Sequence, residues 1–206
     1  MQEIFKASPI IPVLTLHDLQ SGKNIVQALI DGGINTIEIV LRTREALEIL
    51  AAIVKQFPHC HIGAGTLLSP GKMHQAVSAG AKFMVSPGLN EELISTAENL
   101  PIPYLPGVMT PSEIMYAIER GFHFLKLFPA NLAGGVAALK AYNAVFSQIK
   151  FCPTGGIDLN NLKDFSRLDN VIAVGGSWLI PQEFIRSQNW VGITKIAQES
   201  LYLLEK

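Results

Sequence analysis

Short apolar, β-branched runs alternate with amphipathic stretches along nearly the whole chain. The runs are IIPVLTL from Ile10, NTIEIVL from Asn35, CHIGAG from Cys60, KFMVS from Lys82, IPYLPG from Ile102, HFLKLFP from His123, IKFCPTGG from Ile149 and VIAVGG from Val171. Runs of this length, rich in branched side chains and bounded by glycine, proline or polar residues, predict strands. The stretches between them have helical spacing. In Arg44–Phe57 the apolar residues Ala46, Leu47, Leu50, Ile53, Val54 and Phe57 fall on one face. Thr43, Ser69–Pro70, Asn90 ahead of Glu91–Glu92, Thr110–Pro111 with Glu113, and Asp158 ahead of LNNL mark helix starts. Gly32–Gly33, Gly80 and Gly121 mark helix ends, each ahead of the next strand.

Strict alternation of this kind predicts a parallel sheet with helical crossovers. Eight βα units without a linker or shift in composition predict one domain over residues 1–206, a (β/α)8 TIM barrel preceded by a short N-terminal helix. An open doubly wound sheet is the competing architecture. It carries phosphate glycines after its first strand, and here that segment is HDLQSG. Pro12, Pro106 and Pro153 are a mild objection to the barrel, because proline is unwelcome in central strands and tolerable only near strand ends.

In such a barrel the chemistry gathers at the C-terminal ends of the strands. Period-two alternation puts Thr36, Glu38, Val40 and Arg42 on one face of the second strand. It puts Ile62, Ala64 and Thr66 together in the third, and Phe124, Lys126 and Phe128 in the sixth. With these faces inward, Glu38, Arg42, Thr66 and Lys126 converge on one mouth. Lys126 is the sharpest signal, because lysine is almost never fully buried without a partner. Desolvation disfavours an ammonium, and a free amine attacks carbonyls to form an imine that serves as an electron sink. A head that snorkels to the rim, or one that pairs with a carboxylate, fits the same run. Glu38 between two isoleucines suits a general acid–base or half of a structural ion pair. Arg42 suits bidentate recognition of a planar carboxylate.

Two Gly-Gly pairs close the seventh and eighth strands, in PTGGI (Pro153–Ile157) and VGGSW (Val174–Trp178). Loops after these two strands recurrently bind phosphate, through close backbone approach and the start of the next helix. Gly155, Gly156 and Gly176 supply that backbone, and Thr154 and Ser177 add hydroxyls. GAGT (Gly63–Thr66) begins like a dinucleotide fingerprint but continues with Leu68 and follows the third strand, so it carries little weight. In HCH (His59–Cys60–His61), neighbouring side chains point to opposite faces at the start of a strand, on the rim away from the mouth, so no metal is expected there.

Composition narrows the partners. Of 206 residues, 49% are hydrophobic and 16% charged, which favours strands buried on both faces or an oligomer that hides surface. A net charge of −1 gives nucleic acid no basic footprint. No apolar run is long enough for a membrane span, and the N-terminus lacks the apolar segment of a signal peptide. Two cysteines, Cys60 and Cys152, both in strands, read as reduced thiols of a cytoplasmic protein.

The stretches EIVLRT, GAGTLL, VSPGL, KLFPA, FCPTGGI and GGSWL, in that order from near one end to the other, resemble the KDPG aldolase (4-hydroxy-2-oxoglutarate aldolase) family. The resemblance implies a class I aldolase on a trimeric (β/α)8 barrel that needs no cofactor. Such an enzyme cleaves a phosphorylated 2-keto acid to pyruvate and glyceraldehyde 3-phosphate. It assigns the Schiff-base lysine to Lys126 and the catalytic glutamate to Glu38. Pyruvate contacts fall to Arg42, Thr66 and Pro87, and phosphate contacts to Thr154, Gly155, Gly156, Gly176 and Ser177. Asn131 stands where the family often has glutamate and Leu127 where an aromatic is common, which puts substrate tuning and the surroundings of Lys126 in question. Preference for the galacto epimer or for unphosphorylated 4-hydroxy-2-oxoglutarate, a phosphosugar sensor and a non-imine isomerase are the competing readings.

Overall fold

The computed structural model describes Met1, Ile4–Phe5 and residues 8–205 of the chain. Of the expected N-terminal helix, Ile4 and Phe5 are helical; residues 2–3 and 6–7 lie outside the described residues. The elements then follow as β1 (Ile10–Leu14), α1 (Leu19–Asp31), β2 (Thr36–Val40), α2 (Ala46–Gln56), β3 (His61–Gly65), α3 (Pro70–Ser78), β4 (Met84–Val85), α4 (Glu91–Glu98), β5 (Tyr104–Leu105) and β6 (Gly107–Val108). The second half holds α5 (Pro111–Glu119), β7 (Phe124–Leu127), α6 (Gly135–Val145), β8 (Lys150–Pro153), α7 (Leu162–Ser166), β9 (Val174–Gly176), α8 (Gln182–Arg186) and α9 (Trp190–Glu205).

Every strand pair is parallel, as the alternation predicts. The ladder is not one closed ring of eight. It forms a six-stranded arc, β5-β4-β3-β2-β1-β9, and a three-stranded arc, β6-β7-β8. One break is at Pro106, which has no N–H to donate and splits the expected fifth strand into β5, paired with β4, and β6, paired with β7. The other lies between β8 and β9, where only the single bridges Phe151–Val171 and Thr154–Gly175 form. The closed-barrel expectation is thus met in part, by a curled parallel sheet wrapped in helices.

Two apolar clusters explain the curl. Ile11, Phe83, Val85, Leu105, Cys152 and Ala173, drawn from both arcs, pack with Ile4 and Phe5 into an inner core. Apolar residues of opposite parity, among them Ile10, Ile37, Ile39, Ile62, Leu125 and Phe151, pack outward with Leu29, Leu50, Leu139 and Ile193 of the helices. The third strand departs from the expected parity. Ile62 and Ala64 face the helices, and Gly63 and Gly65 face inward. A Cβ on Gly63 would lie 2.4 Å from the Phe83 ring, so the glycine makes room for that ring in the inner core.

The helix starts at Ser69, Asn90 and Thr110 stand as expected, each side chain accepting from a first-turn N–H, and Thr110 with Glu113 closes a capping box. Thr43 is no cap: its hydroxyl donates to Leu16 O, tying the end of β2 to the end of β1. Asp158 accepts from Asn160 N in a turn, and the helix begins three residues later than that signal implies. Gly63→Ala is expected to lower stability by about 1–3 kcal/mol through overpacking, with part of the loss restored by adding Phe83→Leu. Urea unfolding measures both, and an unchanged midpoint would show that the ring moves aside.

Candidate active site

The inner faces of β2 and β7 bring Glu38 and Lys126 together although they stand 88 residues apart. Lys126 Nζ lies 3.2 Å from Glu38 Oε1 and 3.3 Å from Oε2, with side chains only 6% and 4% exposed. Of the placements open to Lys126, the structure takes the carboxylate pair, buried inside the curled sheet rather than snorkelled to its rim. The Phe128 ring lies 5.2 Å from Nζ and adds a cation–π contact. Removing one member of such a pair strands a buried charge, at a cost of about 3–5 kcal/mol.

The neighbours are shaped around this pair. Gly65, in β3 beside β2, leaves space that a Cβ would contest at 2.0 Å from Glu38 Oε1. On the far side, Lys126 is in register with Gly107 and with Cys152. Burial pushes the Cys152 thiol up to about 12, partly countered by the charge of Lys126, so it remains a neutral thiol beside the pair. A Cβ on Gly107 would fall 2.3 Å from the Pro87 backbone, so glycine there lets the Pro87 turn come within reach of β7. That turn is pinned from below. Tyr104 shares a 2.6 Å hydrogen bond with Ser86 Oγ, which itself donates to Gly88 O. The single Ser86 proton is thereby used, and Tyr104 is the donor to Ser86. Burial pushes the Tyr104 phenol up to about 12, so it stays protonated.

Arg42 and Thr66 meet at the mouth, where Arg42 Nε donates to Thr66 Oγ1 at 2.9 Å. Thr66 gets there by an unexpected route. On strand parity, with Gly65 inward, the next residue would turn outward. Thr66 instead leaves β3 with φ +59°, a left-handed conformation that is a genuine outlier for a β-branched residue. The strain redirects its hydroxyl toward Arg42, and strain of this kind clusters at functional sites. The exposed Arg42 guanidinium beside the Thr66 hydroxyl is an arrangement suited to an anionic ligand.

The two Gly-Gly loops also come together. Thr154 bridges to Gly175, where a Cβ would lie 2.3 Å from Thr154 Oγ1. Gly155 and Gly156 have φ of +101° and +73°, and Gly176 is buried beside the exposed Ser177. Among the described residues, the N–H groups of Gly156 and Ser177 have no hydrogen-bond partner. The helix after this first loop, α7, has only five residues, so the free N–H groups, more than a helix field, make the loop attractive to an anion. A cavity of about 350 Å³ opens beside Ser177, walled by Thr15, Leu16, Pro181 and Gln182. Leu127 is fully buried in the outer cluster, so its departure from an aromatic does not alter the mouth. Asn131 lies against Gly156, which places its departure at the glycine turn rather than beside Lys126. Sequence reasoning missed Gly65, Gly107, Ser86 and Tyr104. The period-two glycines of GAGTLL were the available signal for the first, since glycine within a strand marks close approach.

A family model described as KDPG and KHG aldolase matches residues 1–196. The KHG/KDPG aldolase of Escherichia coli is 40% identical over 200 residues, 97% of this chain and 94% of that protein. A crystal structure of KDPG aldolase from Legionella pneumophila, with pyruvate captured as a covalent carbinolamine intermediate, superposes with a TM-score of 0.94 at 43% identity, covering 96% of each chain. The 2-keto-3-deoxy-6-phosphogluconate aldolase of Zymomonas mobilis with 3-phosphoglycerate gives 0.89 at 37% identity, over 96% of this chain and 93% of that one.

Thr66→Gly and Thr66→Ala both remove the hydroxyl, but only glycine relieves the left-handed backbone. The glycine variant is expected to be the more stable of the two by about 1 kcal/mol in urea unfolding; equal stability would mean that the position carries no strain.

Proposed function

The chain belongs to the KDPG and KHG aldolase family and is a lyase, and on that premise we propose that it cleaves 2-keto-3-deoxy-6-phosphogluconate to pyruvate and glyceraldehyde 3-phosphate through an imine on Lys126. The observation that carries this reading is the buried Lys126 amine 3.2 Å from the Glu38 carboxylate. Proton transfer across that contact delivers a neutral amine and a protonated Glu38 in one step. The amine attacks the C2 carbonyl. Glu38 returns its proton to the departing hydroxyl of the carbinolamine, leaving an iminium on Lys126 and a carboxylate on Glu38. Glu38 then takes the C4 hydroxyl proton, through a water, as the C3–C4 bond breaks and its electrons enter the iminium. Protonation of the enamine at C3 and hydrolysis release pyruvate and restore the pair. The carbinolamine captured in the Legionella relative supports this route.

In the same reading Arg42 and Thr66 hold the substrate carboxylate and Pro87 lines the pyruvate pocket. Thr154, Gly155, Gly156, Gly176 and Ser177 hold the phosphate. The free N–H groups of the glycine loops and the phosphorylated ligand of the Zymomonas relative support that assignment. Unphosphorylated 4-hydroxy-2-oxoglutarate is a second substrate, supported by the KHG/KDPG name of the Escherichia coli relative. Residues 1–206 make one domain of the (β/α)8 type, whose strand ladder is interrupted at Pro106 and between β8 and β9. It acts as a cytoplasmic homotrimer, which would cover the exposed Leu68 and Leu132 on the loops after β3 and β7. Among the described residues no helix is long and apolar enough to cross a membrane.

Borohydride added to protein incubated with pyruvate is expected to leave a reduced pyruvyl adduct on Lys126, mapped by peptide mass spectrometry; a folded protein with no adduct would refute the imine. Lys126→Arg keeps a cation against Glu38 and is expected to fold yet lose all turnover, because a guanidinium stays protonated. Glu38→Gln is expected to slow turnover by roughly 10²–10⁴-fold, and a near-normal rate would assign the proton shuttle elsewhere.

A further inference from the structure

Three successive carbonyls of the turn after β8 are tied down. Thr154 O accepts from Ala130 N at 2.8 Å and Gly155 O from Asn131 N at 3.1 Å. Gly156 O accepts from the side-chain amide of Asn161 at 3.0 Å. The cis peptide among the described residues is Phe128–Pro129, so the peptides of this turn are trans. A trans peptide directs its N–H opposite to its C=O. Holding these carbonyls therefore turns the following N–H groups the opposite way: that of Gly155 toward Gly175 across the Thr154–Gly175 bridge, and those of Gly156 and Ile157 to where neither has a partner among the described residues.

The first two ties come from backbone of the loop that continues β7, so they persist whatever side chains that loop carries. The third depends on one side chain. Asn161 is itself held, its Oδ1 accepting from Asp158 N at 3.0 Å and its N–H donating to Asp158 O at 3.3 Å. The amide is thus fixed at both ends between the turn and the start of α7. Gly156 is the exposed member of the turn, and glycines with positive φ are free to move unless tied. Without the Asn161 bond, the last peptide of the three would rotate its N–H out of line.

We infer that Asn161 is a positioning residue that confers preference for phosphorylated substrates by locking the Gly156–Ile157 peptide with its N–H toward the anion. This rests on the phosphate assignment made above, and it adds a residue that need not touch the substrate. Its effect falls on recognition of the phosphate and leaves the Lys126 chemistry alone, because Asn161 bonds to the turn after β8 and not to β2 or β7.

The test compares wild-type protein with Asn161→Ala in three assays. The KM for 2-keto-3-deoxy-6-phosphogluconate is expected to rise about five- to tenfold, the equivalent of one neutral hydrogen bond. The inhibition constant of inorganic phosphate against that substrate is expected to rise by a similar factor, while the rate of borohydride trapping of pyruvate on Lys126 stays within twofold. An unchanged KM and phosphate constant, or a trapping rate that falls in parallel, would overturn the inference. Failure of wild-type protein to form the pyruvate adduct would instead sink the aldolase reading itself, so the two failures are distinct. Asn161→Ser keeps an acceptor for Asp158 N–H but is too short to reach Gly156 O. It carries the same expectation where the alanine variant fails to fold.

Discussion

A charged pair inside a curled parallel sheet is the constraint that orders the rest of this molecule. Neither Glu38 nor Lys126 can be left alone among Phe, Ile and Leu side chains, since an uncompensated buried charge costs more than most single contacts supply. The pair exists only if β2 and β7 face each other across the inner core, and that requires the sheet to curl. The inner cluster of Phe83, Val85, Leu105 and Cys152, with Ile4 and Phe5 below, supplies the apolar surface that holds the curl. In the proposed mechanism the contact that satisfies the charges also sets up the chemistry, because a proton can pass between amine and carboxylate without leaving the interior.

Space for that chemistry comes from absent side chains. Gly65 clears the carboxylate of Glu38 and Gly107 admits the Pro87 turn beside Lys126. Neither choice is about turn conformation: at both, a Cβ would collide with a group the site uses. The opposite device appears at Thr66, where a side chain is kept at the expense of backbone strain so that its hydroxyl meets Arg42. Relief by glycine is available there and is not taken, which marks the hydroxyl as the reason for the residue.

In the proposed reading, anion recognition is built separately from the imine centre. Carboxylate recognition would draw on Arg42 and Thr66, which meet at the ends of β2 and β3. The phosphate end would draw on main-chain N–H groups of the two glycine loops, which the Thr154–Gly175 bridge brings side by side. Backbone donors held by backbone and amide ties present fixed dipoles without a charged side chain, and so they do not disturb the Lys126–Glu38 pair.

Much of the site was legible because strand parity is a local property. Alternation told which side chains share a face with Glu38 and with Lys126, their meeting followed on the condition that those faces point inward, and the glycine loops were found at the ends of two apolar runs. The helix starts at Ser69, Asn90 and Thr110 were read from cap chemistry. Parity failed in β3, where small residues occupy both faces and hydrophobicity cannot say which is inside; the Phe83 ring and the Glu38 carboxylate decide it. Thr43 and Asp158 failed because their side chains found partners outside a first helical turn. By itself the sequence determined the order and type of the elements and the faces of most strands, since those follow from neighbours a few residues away. Tertiary structure alone decided that Lys126 meets Glu38 at 3.2 Å across 88 residues, that Pro106 splits a strand, and that Thr66 turns back toward Arg42. Each depends on what the rest of the fold packs against that point.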